Sequence, residues 1–344
     1  MASLWDDLES LVESPSFSSP EYGHRGTIKP KENFDAKADA AALKKAIKGL
    51  GTNEKVLIEI LTQRSNAQRQ LICKAYQEAT GKTLEKDLEG DTNGDFEHLL
   101  VALITPPAAF DCHEVIRAMK GAGTKASILI EIFASRSNQQ IKALKEVFVK
   151  ETEKDLIDEL KSEVSGDLCK ALVLLAEGDR DESNAVDVDK AKEDAQTLYN
   201  AGEKKWGTDE SKFIDILCQR SVAQLRQTLI EYKNISGKTL QQMQQSIEGE
   251  MSGELEELLV AVVKCVKSLT VYFAELLHES MKGGGTDEST LTRVMVSRSE
   301  IDLLDIRAEF KKLYEHSLLS AIKSDVSGEY GDCNCIKAIC GGDD

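Results

Sequence analysis

The chain has 344 residues, of which 41% are apolar and 30% charged, a composition typical of a folded globular protein rather than a disordered one. Its formal net charge of −17 disfavours nucleic acid as a partner, because that kind of binding depends on Lys and Arg neutralising phosphates. The same charge should repel an anionic lipid surface, so membrane binding would need a cation between protein and lipid.

Residues 1–35 are interpreted as an N-terminal tail. Met1–Asp7 is acidic and lacks the apolar core of a signal peptide, and apolar runs such as Leu258–Val263 are too short to span a membrane. These features predict a cytoplasmic protein. Between Leu4 and Val12 the apolar residues are spaced to share one face of a helix, which is a candidate docking surface for a protein partner.

A short glycine loop recurs along the rest of the chain. The pattern Lys-Gly-x-Gly-Thr occupies Lys48–Thr52, Lys120–Thr124 and Lys282–Thr286, and a variant of it occupies Lys205–Thr208. The last glycines of these loops recur at broadly similar intervals along the chain, and they are Gly51, Gly123, Gly207 and Gly285.

Two further signatures keep a fixed relation to these loops. An Arg-Ser pair follows each loop glycine at the same sequence distance in all four cases, at Arg64, Arg136, Arg220 and Arg298. An acid followed three positions later by glycine precedes an apolar helical pattern, at Asp91–Gly94, Glu163–Gly166, Glu250–Gly253 and Asp325–Gly328. We interpret the Arg-Ser pairs as structural, bonding loop carbonyls or helix ends.

The recurrence predicts an all-α protein of four homologous repeats, each with about five short helices. The predicted organisation is a tail at 1–35, repeat one at 36–107, repeat two at 108–180, a linker at 181–189, repeat three at 190–266 and repeat four at 267–344.

The spacing between loop and acid favours a metal site. Taken alone, each loop could be a turn in which glycine ends one helix and threonine caps the next. A turn, however, does not need the acid that follows the loop glycine at one constant offset, at Asp91, Glu163 and Asp325. Calcium does need one, since it takes six to eight oxygens and glycine-rich backbone can supply several carbonyls. Such a site is open and weak, and a lipid phosphate could complete it.

Together these motifs resemble the annexin family over residues 36–344. The resemblance implies a curved disc of four five-helix repeats, with calcium loops on the convex, membrane-facing side. It further implies that calcium is bound by the carbonyls of Ile47, Gly49 and Gly51 with Asp91, of Met119, Gly121 and Gly123 with Glu163, and of Met281, Gly283 and Gly285 with Asp325.

Repeat three departs from this pattern. The resemblance gives it the ligands Gly202, Lys205, Gly207 and Glu250, but this acid follows its loop glycine three positions later than in the other repeats. Trp206 corresponds to the family's loop tryptophan, which enters the lipid interface. An exposed aromatic residue in a turn is the alternative interpretation.

Four charged residues match the hydrophilic central channel of annexins, namely Asp111, Glu131, Arg136 and Arg293. A salt-bridged core between the two halves of the molecule is the simpler account of them, and we prefer it. The motifs at Met1–Trp5, Gly23–Thr27 and Cys340–Asp344 resemble one subgroup of the family.

The sequence therefore predicts reversible, peripheral, calcium-bridged binding to anionic phospholipid, serving membrane organisation or trafficking. A scaffold whose tail helix recruits a protein partner is the second hypothesis. The third is an enzyme acting on lipid or phosphate, but no catalytic constellation is recognisable, so we expect that the protein is not an enzyme.

Overall fold

A computed structural model describes residues 24–48, 51–121, 123–202, 209–238, 253–326 and 331–343. Within these ranges all regular secondary structure is helical. The chain divides into two compact units, which we call terminal (Pro20–Phe110 with Thr270–Asp344) and central (Asp111–Leu269). In the described part of the chain no helix combines the length and the apolar character needed to cross a membrane.

Repeat one contains five helices: α1 Ala36–Ile47, α2 Glu54–Thr62, α3 Asn66–Thr80, α4 Leu84–Asp91 and α5 Gly94–Ile104. Local sequence sets their ends. Ser65 and Gln68 form a capping box at the start of α3, and Gly81 ends that helix in the left-handed conformation with φ 71°. Thr83 then caps α4 by accepting a hydrogen bond from the Lys86 amide.

Repeat two has the same order: α6 Pro107–Met119, α7 Ala126–Ser135, α8 Asn138–Thr152, α9 Leu156–Glu163 and α10 Gly166–Ala176. Ser137 and Gln140 repeat the capping box. Helix α8, however, ends on Glu153 in the left-handed region, with φ 58°, where repeat one has glycine.

Repeat three is described by four helices: α11 Val188–Gly202, α12 Glu210–Leu217, α13 Val222–Ser236 and α14 Glu254–Lys267. Residues 239–252 lie outside the described part of the chain. Repeat four contains α15 Leu269–Ser280, α16 Glu288–Arg298, α17 Leu303–Tyr314, α18 Leu318–Asp325 and α19 Gly331–Cys340.

Equivalent positions form the core of every repeat. The residue six places after each loop glycine lies on the second helix, and it is at most 4% exposed in all four repeats (Leu57, Leu129, Phe213 and Leu291). Burial of such side chains at helical spacing is the main stabilising contribution. In repeats one, two and four the packed helices hold the loop after the first helix close to the end of the fourth helix.

Candidate metal centre

One backbone hydrogen bond closes the glycine loop in every repeat. The amide that begins the second helix donates to a carbonyl near the end of the first, in the pairs Asn53–Ala46 (2.9 Å), Lys125–Ala118 (2.8 Å), Asp209–Ala201 (3.3 Å) and Asp287–Ser280 (2.7 Å). The next carbonyl along the chain is in each case the first predicted calcium ligand, namely that of Ile47, Met119, Gly202 or Met281.

The loop threonine does not cap the second helix, as a simple turn would require. The cap is the residue after it, and Asn53 and Asp287 accept amide hydrogen bonds there while Lys125 does not. The threonine hydroxyl instead donates to the acidic residue that follows it at a constant offset. The distances are 3.1 Å from Thr52 to the Asp91 carbonyl, 3.4 Å from Thr124 to the Glu163 carbonyl and 2.8 Å from Thr286 to Asp325 Oδ2.

The acids are therefore brought to the loops. Asp91, Glu163 and Asp325 are each the last residue of the fourth helix of their repeat. Asp91 and Glu163 are exposed and Asp325 is partly exposed. Sequence analysis missed the threonine contact, although the recurrence of threonine after each loop glycine was a signal for it.

The glycines are required by the backbone of the loops. Gly51, Gly121, Gly123 and Gly283 have φ of 84°, 117°, 112° and 107°, a region that residues with a side chain adopt only at a cost. These four glycines are exposed. Gly49, which completes the ligand set of repeat one, lies outside the described residues.

The donors present suit a hard cation that accepts carbonyl oxygens. Among the described residues no three His, Cys, Asp or Glu side chains cluster to hold a metal, whereas the loops of repeats one, two and four set backbone oxygens beside one acidic residue. That donor set matches calcium and does not match zinc, which favours several Cys or His ligands. Gly202 is buried at the end of α11, whereas Lys205, Trp206, Gly207 and Glu250 lie outside the described residues.

The arginines of the first three Arg-Ser pairs form ion pairs with an aspartate on the first helix. The sequence indicated a salt-bridged role for Asp111 and Arg136, but not that the pairing recurs in other repeats. The bonds from Arg Nε are 2.6 Å for Arg64–Asp39, 2.8 Å for Arg136–Asp111 and 2.8 Å for Arg220–Asp194. The serines of these three pairs cap the third helix, so their predicted structural role is confirmed. Each pair thus ties the first helix to the junction between the second and third.

In repeat four, other residues contact the corresponding arginine, Arg298. The position of the aspartate is taken by Phe273, and the Arg298 guanidinium lies 4.7 Å from the centre of its ring. The carboxylate comes instead from Asp302, which binds both Nε and Nη2 of Arg298 at 2.8 and 2.7 Å. Ser299 does not cap α17, and its carbonyl accepts a hydrogen bond from the Ile28 amide.

The four residues matched to a central channel lie in both units. In the central unit Asp111 and Arg136 form the ion pair just described, and Glu131 is 2% exposed on α7. In the terminal unit Arg293 is 2% exposed and donates to Ser289 Oγ and Thr290 Oγ1 at 3.3 and 3.2 Å. Because the Asp111–Arg136 pair recurs in repeats one and three, repeat architecture accounts for it.

The helices and loops define an annexin-type repeat, and the comparison with protein families agrees. The annexin family model matches residues 38–103, 110–175, 193–262 and 272–335, so the chain belongs to the annexin family. The predicted family, the all-α class and the four repeats are thereby confirmed.

Particular annexins are similar over nearly the whole chain. Annexin A3 of Homo sapiens is 56% identical over 322 residues, covering 94% of this chain and 98% of that protein. The solved structure of annexin III superposes with a TM-score of 0.90 at 55% identity, covering 95% and 100%. A calcium-bound structure of annexin (Sm)1 superposes with a TM-score of 0.80 at 34% identity, covering 96% and 97%. The predicted subgroup is annexin III, and this similarity bears it out.

Proposed function

We propose that this protein binds anionic phospholipid membranes peripherally and reversibly, with calcium held between its glycine loops and lipid phosphates. The observation that carries the proposal is the threonine contact, which places an acidic residue beside the loop in repeats one, two and four. Family membership supports it, since the related annexin (Sm)1 has been solved in a calcium-bound form.

In repeats one, two and four, three groups would bind the cation. Carbonyls at the end of the first helix add to the negative end of the helix dipole, which favours a cation. The glycines turn further carbonyls outward, and the acid at the end of the fourth helix supplies the carboxylate. Calcium bound there would supply the positive charge that a chain of net charge −17 lacks toward an anionic surface.

Sedimentation with phosphatidylserine vesicles tests the proposal. We expect the protein to pellet with the vesicles when calcium is present and to return to the supernatant when a chelator is added. Pelleting that a chelator leaves unchanged would contradict the calcium bridge.

Alanine variants of the three acids test the assigned sites. We expect Asp91→Ala, Glu163→Ala and Asp325→Ala each to raise the calcium concentration for half-maximal vesicle binding by roughly two- to tenfold, because the remaining loops still contribute avidity. Glu78→Ala is the matched control, since Glu78 is an exposed acid on α3 and its removal changes the net charge equally. An equal shift in the control would show a general charge effect rather than loss of a ligand.

Several finer assignments rest on residues that the structure does not describe. We propose Gly202, Lys205, Gly207 and Glu250 as a fourth calcium site, with Trp206 entering the lipid interface. We also propose that the tail helix between Leu4 and Val12 binds a protein partner. Deletion of residues 1–22 should then abolish partner binding and leave calcium-dependent vesicle binding intact; loss of vesicle binding would favour the scaffold hypothesis.

Under this proposal the protein is cytoplasmic, moves to membranes as calcium rises and serves membrane organisation or trafficking.

A further inference from the structure

Repeat one carries an asparagine where the other repeats carry serine. Asn93 precedes Gly94 at the start of α5, two residues after the assigned calcium ligand Asp91. The equivalent residues of the other repeats also precede glycine, and they are Ser165, Ser252 and Ser327. Asn93–Gly94 is the only Asn-Gly sequence in the chain. Asparagine before glycine is the dipeptide in which the side-chain amide most readily reacts with the backbone, so this position has a chemistry that the other repeats lack.

The backbone requires the glycine at this junction but not the asparagine. Gly94, Gly166 and Gly253 have φ of 63°, 69° and 75°, a region that residues with a side chain adopt only at a cost. Asn93 and Ser165 are the N-cap residues of α5 and α10, and neither side chain makes a capping hydrogen bond. Helix capping therefore does not account for the asparagine.

Both groups that would react are free of hydrogen bonds. Asn93 is exposed and extended, with φ −151° and ψ 165°, and its carboxamide has no partner in the described part of the chain. The first amides of a helix have no partner within it, and the Gly94 amide makes no bond to any other described segment. A β-carbon at Gly94 would meet nothing within 4 Å. The Gly94 nitrogen can therefore approach the Asn93 carboxamide without breaking a contact.

Other asparagines lack this combination. The Asn66 carboxamide donates to two backbone carbonyls at 3.3 and 2.8 Å, and the Asn138 carboxamide donates to one at 2.6 Å. Asn184 is exposed and lies outside the helices, but Ala185 follows it, and the alanine methyl group hinders approach of the amide nitrogen. Asn184 is therefore a matched comparison that differs from Asn93 chiefly in the next residue.

We propose that Asn93 is a site of spontaneous deamidation, which adds a negative charge beside the calcium site of repeat one. The Gly94 nitrogen attacks Asn93 Cγ, so that the N–Cγ bond forms, the Cγ–Nδ2 bond breaks and ammonia leaves with the amide proton. Water then adds to one of the two carbonyls of the succinimide and opens the ring, giving aspartate or isoaspartate. Either product has one carboxylate that asparagine lacks, and the reaction needs no oxidant or reductant.

The new carboxylate would lie near the glycine loop of repeat one. The Asp91 carbonyl accepts a hydrogen bond of 3.1 Å from the loop residue Thr52, and two residues of chain span at most about 7 Å. Negative charge is also favoured at the start of α5 by the helix dipole. The added charge should therefore strengthen cation binding by this repeat. Deamidation itself does not depend on the proposed function, whereas this consequence rests on it.

Peptide mapping of the full chain tests the modification. After incubation at mildly alkaline pH, which helps the Gly94 amide to lose its proton, the peptide with Asn93 should show the mass increase of an amide converted to an acid. Part of the product should accept a methyl group from an isoaspartyl methyltransferase. Asn93→Ser, which restores the residue of the other repeats, should remove this methylation. Deamidation no faster at Asn93 than at Asn184 would overturn the assignment.

The variant Asn93→Asp carries the charge of the product and tests its consequence. It should lower the calcium concentration for half-maximal binding to phosphatidylserine vesicles by about two- to threefold, as expected for one charge added several ångströms from a divalent cation in salt solution. Asn184→Asp changes the net charge equally within the linker, which holds no assigned ligand, and should have no such effect.

The same measurements separate failure of this inference from failure of the proposed function. An unchanged calcium requirement in Asn93→Asp, or an equal fall in Asn184→Asp, would overturn the effect of deamidation on the calcium site while calcium-dependent vesicle binding stands. Absence of calcium-dependent binding in the unmodified protein and in both variants would instead overturn the proposed function.

Discussion

At the residue scale, the four repeats differ in the residue that ends the third helix. Repeats one and three use Gly81 and Gly237, with φ of 71° and 66°, whereas repeats two and four place Glu153 and Glu315 in the same left-handed region, with φ of 58° and 63°. A residue with a side chain is strained in this region, so the two glutamates reduce the stability of their repeats.

Glu153→Gly should therefore stabilise the protein. We expect an increase of about 0.5–1 kcal/mol in the free energy of unfolding of the central unit, measured by calorimetry without calcium, because the left-handed conformation no longer strains a side chain. Glu146→Gly is the control, since Glu146 is exposed within α8, where glycine should destabilise by about 1 kcal/mol. Destabilisation by both variants would contradict the expectation.

At the element scale, buried ion pairs hold the arginine at the junction between the second and third helices. The side chains of Arg136 and Asp111 are 2% and 9% exposed, and those of Arg298 and Asp302 are 4% and 0% exposed. Removing one member of such a pair leaves a buried charge without compensation, which costs far more than an exposed ion pair contributes. These pairs therefore fix how the helices of a repeat meet.

Asp111→Asn should destabilise the central unit by about 3–5 kcal/mol, because Arg136 would remain buried without its carboxylate. Asp179→Asn serves as the control in the same unit. It breaks the pair with Lys142, in which the lysine and aspartate side chains are 57% and 73% exposed, and should cost less than about 1 kcal/mol. Denaturant unfolding of the two variants measures the difference, and similar values for both would show that Asp111 is not primarily structural.

At the scale of the whole molecule, each unit joins two repeats through a strap. Residues 24–31 form one strap in the terminal unit, where the Thr27 hydroxyl donates to the Ile339 carbonyl at 2.6 Å and the Lys31 amide donates to Gln68 at 2.9 Å. Residues 180–187 form the other strap in the central unit, where the Asp187 amide donates to Gln224 at 2.8 Å. Both glutamines occupy the same position relative to their loop glycines, so the straps are equivalent.

Gly26→Ala tests the terminal strap. A β-carbon at Gly26 would lie 2.6 Å from backbone atoms of Ser299 and Glu300, so the strap must move away. We expect a lower thermal midpoint for the terminal unit and faster proteolysis within residues 24–31, with the central unit unchanged. Gly90→Ala, where nothing lies within 4 Å of the added carbon, should show neither effect. Unchanged proteolysis in Gly26→Ala would mean that the strap does not depend on this contact.

Much of this architecture follows from the sequence alone. The helices, the four repeats and the pairing of loop with later acid in repeats one, two and four follow from periodicity and fixed offsets, because these are local patterns repeated independently. Offsets could also have located the Arg–Asp pairs, since Asp39 and Asp111 precede their arginines by the same sequence distance. Which acid an arginine binds was not evident, because several acids lie within reach in sequence and only packing selects one.

Three other features could be recognised only in the tertiary structure. It assigned the loop threonine to the acid rather than to the helix cap, made residues 24–31 a partner of the chain's other end, and opened a cavity beside Met281 and Asp325. Each of these features depends on distances between segments far apart in the chain. Sequence determines which local elements form and which residues they carry, whereas packing of those elements determines which polar groups meet and where space remains.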